Sequence, residues 1–137
     1  MEHGKSIQVV VTKKDASHAV AIAREHELLL NVKKGSGEAG FTAAETLMAA
    51  LGTCLMTNIN GIGEKMQLTI DEVRIEFDAY RTDEPPIISE INYKLIIKSK
   101  DSPEKLAELY ELSKKWGTVT NTLIGGLTPN GELIVEN

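Results

Sequence analysis

At 137 residues the chain is long enough to bury one core and too short for two domains of ordinary size, so a single domain spanning residues 1–137 is expected. A formal charge of −5 with no basic run argues against nucleic acid as the main partner and against an anionic membrane surface. One cysteine excludes an internal disulfide and any multi-cysteine metal site. No apolar stretch reaches the length of a membrane span, and no signal or transit pattern precedes the first strand-like segment, so a cytoplasmic protein is the expectation.

In chain order, residues 6–13 are rich in β-branched side chains with partial alternation and predict a strand. A turn at residues 14–17 leads to a second strand over 18–24, where Ala19, Ala21 and Ala23 alternate with Val20 and Ile22, and to a third over 27–32. Residues 35–40 are a glycine-rich loop. Residues 40–66 predict one long helix. Thr42 followed by Glu45 is a capping-box pair, hydroxyl to a first-turn amide and carboxylate back to the cap. Leu47, Met48, Leu51, Cys54, Leu55, Ile59 and Ile62 recur at three- and four-residue spacing. Ala43, Ala44, Ala49, Ala50 and Gly52 widen that stripe with small residues. A helix apolar on more than one stripe is buried on more than one side, which is more burial than a small chain supplies alone.

The alternation of Val73, Ile75, Phe77 and Ala79 with charged neighbours predicts a strand over residues 69–81, and Ile91, Tyr93, Leu95 and Ile97 mark its partner over 88–100. These form a hairpin with one wet face. Ser102, Pro103 and Glu104 open a second helix whose apolar face carries Leu106, Leu109, Tyr110, Ser113 and Trp116, and Gly117 is placed to end it. Residues 118–124 read as a short helix and 127–135 as a short final hairpin or strand. The order β-β-β-α-β-β-α-α-β predicts an α+β fold in which antiparallel sheets wrap a buried helix.

Cys54 is the one residue with obvious nucleophilic potential. On an apolar helix face a free cysteine commonly packs as an inert small hydrophobe. Reactivity needs the thiolate, and a thiolate needs a cation or a helix N-terminus beside it. A mid-helix position offers no dipole end, so a side chain would have to activate it: Arg24, at the end of the second strand, or as a weaker candidate His26. Glu45 has the capping box as its own explanation. Nine residues of α-helix rise about 13.5 Å and turn two and a half times, so Glu45 and Cys54 of one chain face opposite ways. A carboxylate so placed could reach the thiol of a second copy of the helix crossing the first.

Two other patterns carry less. Gly35, Gly37 and Gly40 fit a G-x-G-x-x-G spacing between a strand and a helix. The acidic residue that such a nucleotide site places about twenty residues further on would fall inside the long helix, and Glu38 would repel a pyrophosphate. A flexible linker explains the glycines. His3, His18 and His26 lack metal-ligand spacing, so neither a metal nor another cofactor is expected.

The run from Gly40 through Glu45 and Ala49-Ala-Leu-Gly-Thr-Cys54 resembles the signature of the OsmC/Ohr family, in particular its YhfA-type, OsmC-like branch. The segments around Arg24 and from Val119 to Leu123 also look like that family. The resemblance implies an intertwined homodimer with two long helices crossed at its centre and antiparallel sheets wrapped around them. It also implies a site at the dimer interface that reduces organic or inorganic hydroperoxides. On that analogy Cys54 is the peroxidatic thiol, Glu45 orients an arginine, and Arg24 is that arginine. The family's peroxidases carry a second cysteine where this chain has Gly117, so an oxidised Cys54 would need an external thiol reductant. The implied function is thus a one-cysteine thiol peroxidase. The alternative is a non-enzymatic dimer of the same fold that binds a small apolar ligand, with Trp116, Met48 and Met56 lining its pocket.

Overall fold

A computed structural model describes residues 4–136. The elements are β1 (Val10–Lys13), β2 (His18–Ala23), β3 (His26–Asn31), α1 (Ala43–Lys65), β4 (Glu72–Thr82), β5 (Ile87–Lys98), α2 (Pro103–Lys115) and α3 (Thr118–Gly125). The first three strands make an antiparallel sheet in the order β1-β2-β3, and β4 and β5 make a second antiparallel sheet. The chain divides into two compact units, Met1–Ala49 and Ala50–Asn137, with the division falling inside α1.

In the N-terminal unit the turn between β1 and β2 is held by Asp15, whose Oδ1 accepts from the amides of Ser17 and His18, each at 2.8 Å. Those bonds, the Ser17 amide foremost, hold the Asp15 carboxyl below the usual carboxylate range. β2 and β3 are joined through Arg24 and Glu25, and Arg24 has φ +59°. In a two-residue hairpin connection this is a position that glycine usually fills. The loop before α1 is pinned by Asn31, whose Oδ1 accepts from the Lys33 amide and the Ser36 hydroxyl. Gly40, at φ +98°, passes so close to β3 that a Cβ there would stand 2.9 Å from the Leu29 carbonyl oxygen. Only glycine fits that approach.

α1 begins as its sequence dictates. The Thr42 amide donates to Glu45 Oε1 at 2.9 Å and the Glu45 amide to Thr42 Oγ1 at 3.3 Å, a closed capping box. The helix continues unbroken through Gly52. It ends by paired bonds from the amides of Gln67 to Glu64 O and Leu68 to Gly63 O, with Gln67 at φ +59°. That is a Schellman closure with a non-glycine residue in the left-handed position.

In the C-terminal unit Leu55, Ile59 and Leu109 are wholly buried, as is Ser113, which satisfies its hydroxyl on Leu109 O. Phe77 on β4 packs against α1 at Gly52, where a Cβ would stand 3.1 Å from the ring. On β5, Tyr93 stacks on Phe77 at 5.7 Å and shares a 2.8 Å hydrogen bond between hydroxyls with Tyr110 of α2. Burial, reinforced by that bond, pushes the Tyr93 phenol far above its ordinary range. α2 has Ser102 as its N-cap, accepting from the Lys105 amide, with Pro103 in the first turn.

Two expected strands differ. β1 is confined to Val10–Lys13 rather than residues 6–13, and residues 127–135 form no strand or hairpin. Both segments are apolar and exposed, Val9, Leu133 and Val135 among them. A strand needs a neighbour to accept its backbone hydrogen bonds, and a suitable side-chain pattern does not supply one.

Candidate active site

The surroundings of Cys54 follow from how α2 lies along α1. Gly63 of α1 meets Leu109 of α2, the Asn58 amide side chain donates to Ser113 O at 3.0 Å, and the next turn in each direction brings Cys54 to Gly117. The helices therefore run in opposite directions, with Gly63, Ser113 and Gly117 giving close approach. A Cβ on Gly117 would stand 3.2 Å from Cys54 Sγ and 2.9 Å from Thr120 Oγ1.

Gly117 is also the N-cap of α3, and no side chain caps that helix. An uncapped N-terminus presents free amides and the positive end of the helix dipole, an environment that suits an anion. Cys54 has no dipole end of its own helix beside it, as expected from its mid-helix position, and the helix N-terminus near its sulfur is that of α3. Thr120, in the first turn of α3, has its hydroxyl oxygen buried without a hydrogen-bond partner. Beyond it lies a cavity of about 370 Å³ walled by Leu51, Ile88, Ile91 and Leu123, with Glu90 as its charged member. Neither the α3 N-terminus nor Thr120 was singled out from the sequence. The short helix over 118–124 was legible there, but not what its first turn would face.

Cys54 is a free, half-buried thiol. Glu45 is exposed and engaged in its own cap, and α1 is one continuous helix between it and Cys54. Arg24 is exposed on its hairpin turn and makes no ion pair among the described residues; His26, the weaker candidate, is exposed at the start of β3. Trp116 is 67% exposed and lines a groove with Asn58, Ile62 and Leu112, while Met48 and Met56 are half-buried on α1. His18 is held at 2.9 Å by Asp15 and lies 3.9 Å from Glu38; His3 lies outside the described residues. Among the described residues no group of three or more His, Cys, Asp or Glu could hold a metal ion, and no helix is long and apolar enough to cross a membrane.

The fold is found in solved structures. An OsmC like protein from Mycoplasma pneumoniae superposes with a TM-score of 0.81 at 21% identity, over 90% of each chain. The organic hydroperoxide resistance protein OhrB of Bacillus subtilis gives 0.62 at 16% identity, over 88% of this chain and 92% of its own. An organic hydroperoxide resistance protein from Elizabethkingia anophelis gives 0.60 at 15%, over 91% and 92%. At these identities the likeness is one of fold. No curated protein matches the chain. The family model described as OsmC-like protein matches residues 35–130, a span that holds Glu45, Cys54, Gly117 and Thr120, and the chain belongs to the OsmC-like family.

Proposed function

We propose that the protein is a thiol-dependent hydroperoxide reductase that works as a homodimer through Cys54 alone. The observation that carries this is the position of the Cys54 sulfur beside the uncapped N-terminus of α3, with a largely apolar cavity beyond Thr120. The sulfur lies beside Gly117, which opens α3, and the cavity offers space for an apolar tail. The thiolate attacks the outer oxygen of the hydroperoxide and the O–O bond breaks. Sulfur keeps that oxygen, and the remainder leaves as the alcohol, or as water from hydrogen peroxide. Two equivalents of an external thiol then return the sulfenic acid to the thiol, releasing water and a disulfide.

Arg24 and Glu45 belong to this reading as the pair that orients the peroxide across the dimer. Arg24 supports it by its backbone: a bulky residue at φ +59° in a tight turn is conformationally costly, and such strain concentrates where a side chain is needed. The exposed apolar residues of β1, Val10 and Val11, are a surface a second copy would cover. Organic hydroperoxide resistance in the names of two structural neighbours points the same way.

The test is peroxide consumption by wild type and Cys54→Ser, with a monothiol and a dithiol as alternative reductants. Turnover by wild type and none by the variant is expected. Equal rates would leave only the rival, a dimer holding a small apolar ligand in that cavity. Sedimentation of the same samples should give twice the chain mass of 15.0 kDa.

A further inference from the structure

Thr120 is out of keeping with three other threonines of the helices. Thr46, Thr57 and Thr122 each turn the hydroxyl back onto the carbonyl four residues earlier, at 2.7–2.8 Å. Thr120 does not, and its oxygen is sealed from water with no partner at all. Buried hydroxyls are almost always satisfied, so an orphan calls for a partner that the chain itself does not supply. Its position says what that partner is. Thr120 Oγ1 and Cys54 Sγ both lie within 3.2 Å of the point where a side chain at 117 would begin, and Gly117 leaves that point vacant.

We infer that the Thr120 hydroxyl holds the oxygen that a hydroperoxide leaves on Cys54, and thereby protects the sulfenic acid from a second oxidation. This rests on the peroxidase reading above. An oxygen bonded to Sγ and directed into the space beside Gly117 comes within hydrogen-bond reach of Thr120 Oγ1. The uncapped first turn of α3 favours its negative charge. In the first step the thiolate and a hydroperoxide give a sulfenate and an alcohol. In the damaging second step the sulfenate sulfur attacks another hydroperoxide, takes its outer oxygen to become a sulfinate, and releases a second alcohol. A hydrogen bond donated to the sulfenate oxygen draws density from sulfur and slows that attack. The device suits a chain with no second thiol to capture the sulfenic acid.

The test treats full-length wild type, Thr120→Val and Thr120→Ser with tert-butyl hydroperoxide in the absence of reductant. Samples are quenched with dimedone and weighed intact. The readout is sulfinic acid relative to trapped sulfenic acid at matched total oxidation of Cys54. Thr120→Val is expected to raise that ratio about five-fold, the equivalent of one net hydrogen bond, while Thr120→Ser stays near wild type. The inference is overturned if Thr120→Val over-oxidises no faster than wild type, or if Thr120→Ser does so as fast as Thr120→Val. A wild-type Cys54 that takes up no oxygen would instead overturn the peroxidase reading itself, and this inference with it.

Discussion

The two units of the chain differ in the core they bury rather than in exposed apolar surface, since Ile124, Leu127, Leu133 and Val135 of the C-terminal unit are as open as Val10 of the N-terminal one. In the C-terminal unit, Leu55, Ile59 and Leu109 are fully buried, and the inward residues of β4 and β5 are half-buried. In the N-terminal unit Ala19 is the one buried hydrophobic side chain among the described residues, and no side chain there is fully buried, while Val10 is 61% exposed and Leu28 and Leu29 are open. A buried side chain needs something packed over it, so hydrophobic composition alone does not make a core. The C-terminal unit supplies its own cover in α1 and α2. The N-terminal sheet leaves apolar surface for another body to meet, and the proposed second copy is such a body.

The contrast can be broken most directly by truncation. Ile59→Ala should cost about 2–5 kcal/mol in chemical denaturation at any protein concentration, whereas the cost of Val11→Ala, a position open in the single chain and covered in the proposed dimer, should fall below about 0.5 kcal/mol once dilution separates the copies. A large loss at Val11 that persists on dilution would mean that β1 is covered within one chain.

The next effect sharpens the C-terminal side. In Gly117→Cys the new Cβ would begin 3.2 Å from Cys54 Sγ. That is close to the roughly 3 Å that a disulfide sets between one sulfur and the other residue's Cβ. The backbone at 117, with φ −81° and ψ 115°, accepts any residue, although Thr120 must give way. Oxidation should form an internal disulfide worth about 2–4 kcal/mol, seen as a thermal shift reversed by reductant. Its failure to form would count against the α1–α2 register.

A third comparison sets one residue in each unit against the other. Arg24 and Gln67 both have φ +59°. Arg24→Gly and Gln67→Gly should each stabilise by about 0.5–1 kcal/mol, since glycine removes the left-handed strain at a cost in unfolded-state entropy. Only Arg24→Gly should lower peroxide turnover, by roughly ten-fold or more, the equivalent of about 1.4 kcal/mol. Unchanged turnover would remove Arg24 from the site.

The smallest effect concerns Asp15, in the N-terminal unit. Its folded pKa lies below the ordinary 3.8, so its contribution is present above that value and is lost as pH falls through the lower folded value. Wild type should therefore lose stability on acidification below about pH 4, and Asp15→Asn should show a shallower fall over the same range. Parallel curves would deny the turn its role.

The parts whose causes are local can be read from the residues alone. The capping box at Thr42 and Glu45, the Ser102–Pro103 start of α2 and the alternation through β4 and β5 are each written within a few residues, and each is present as expected. Cys54 could be picked out because it is the chain's one thiol. Its neighbours could not. The N-terminus of α3 and the orphaned Thr120 hydroxyl reach the sulfur only because α2 lies antiparallel along α1, in a register set by Leu109 against Gly63 and Asn58 against Ser113. The strands expected over 6–13 and 127–135 separate the two levels again. Their side-chain pattern is local, but the backbone partners that make a strand are not. Tertiary structure alone decides which donors and acceptors arrive, because contacts between distant segments depend on packing that no short stretch of sequence contains.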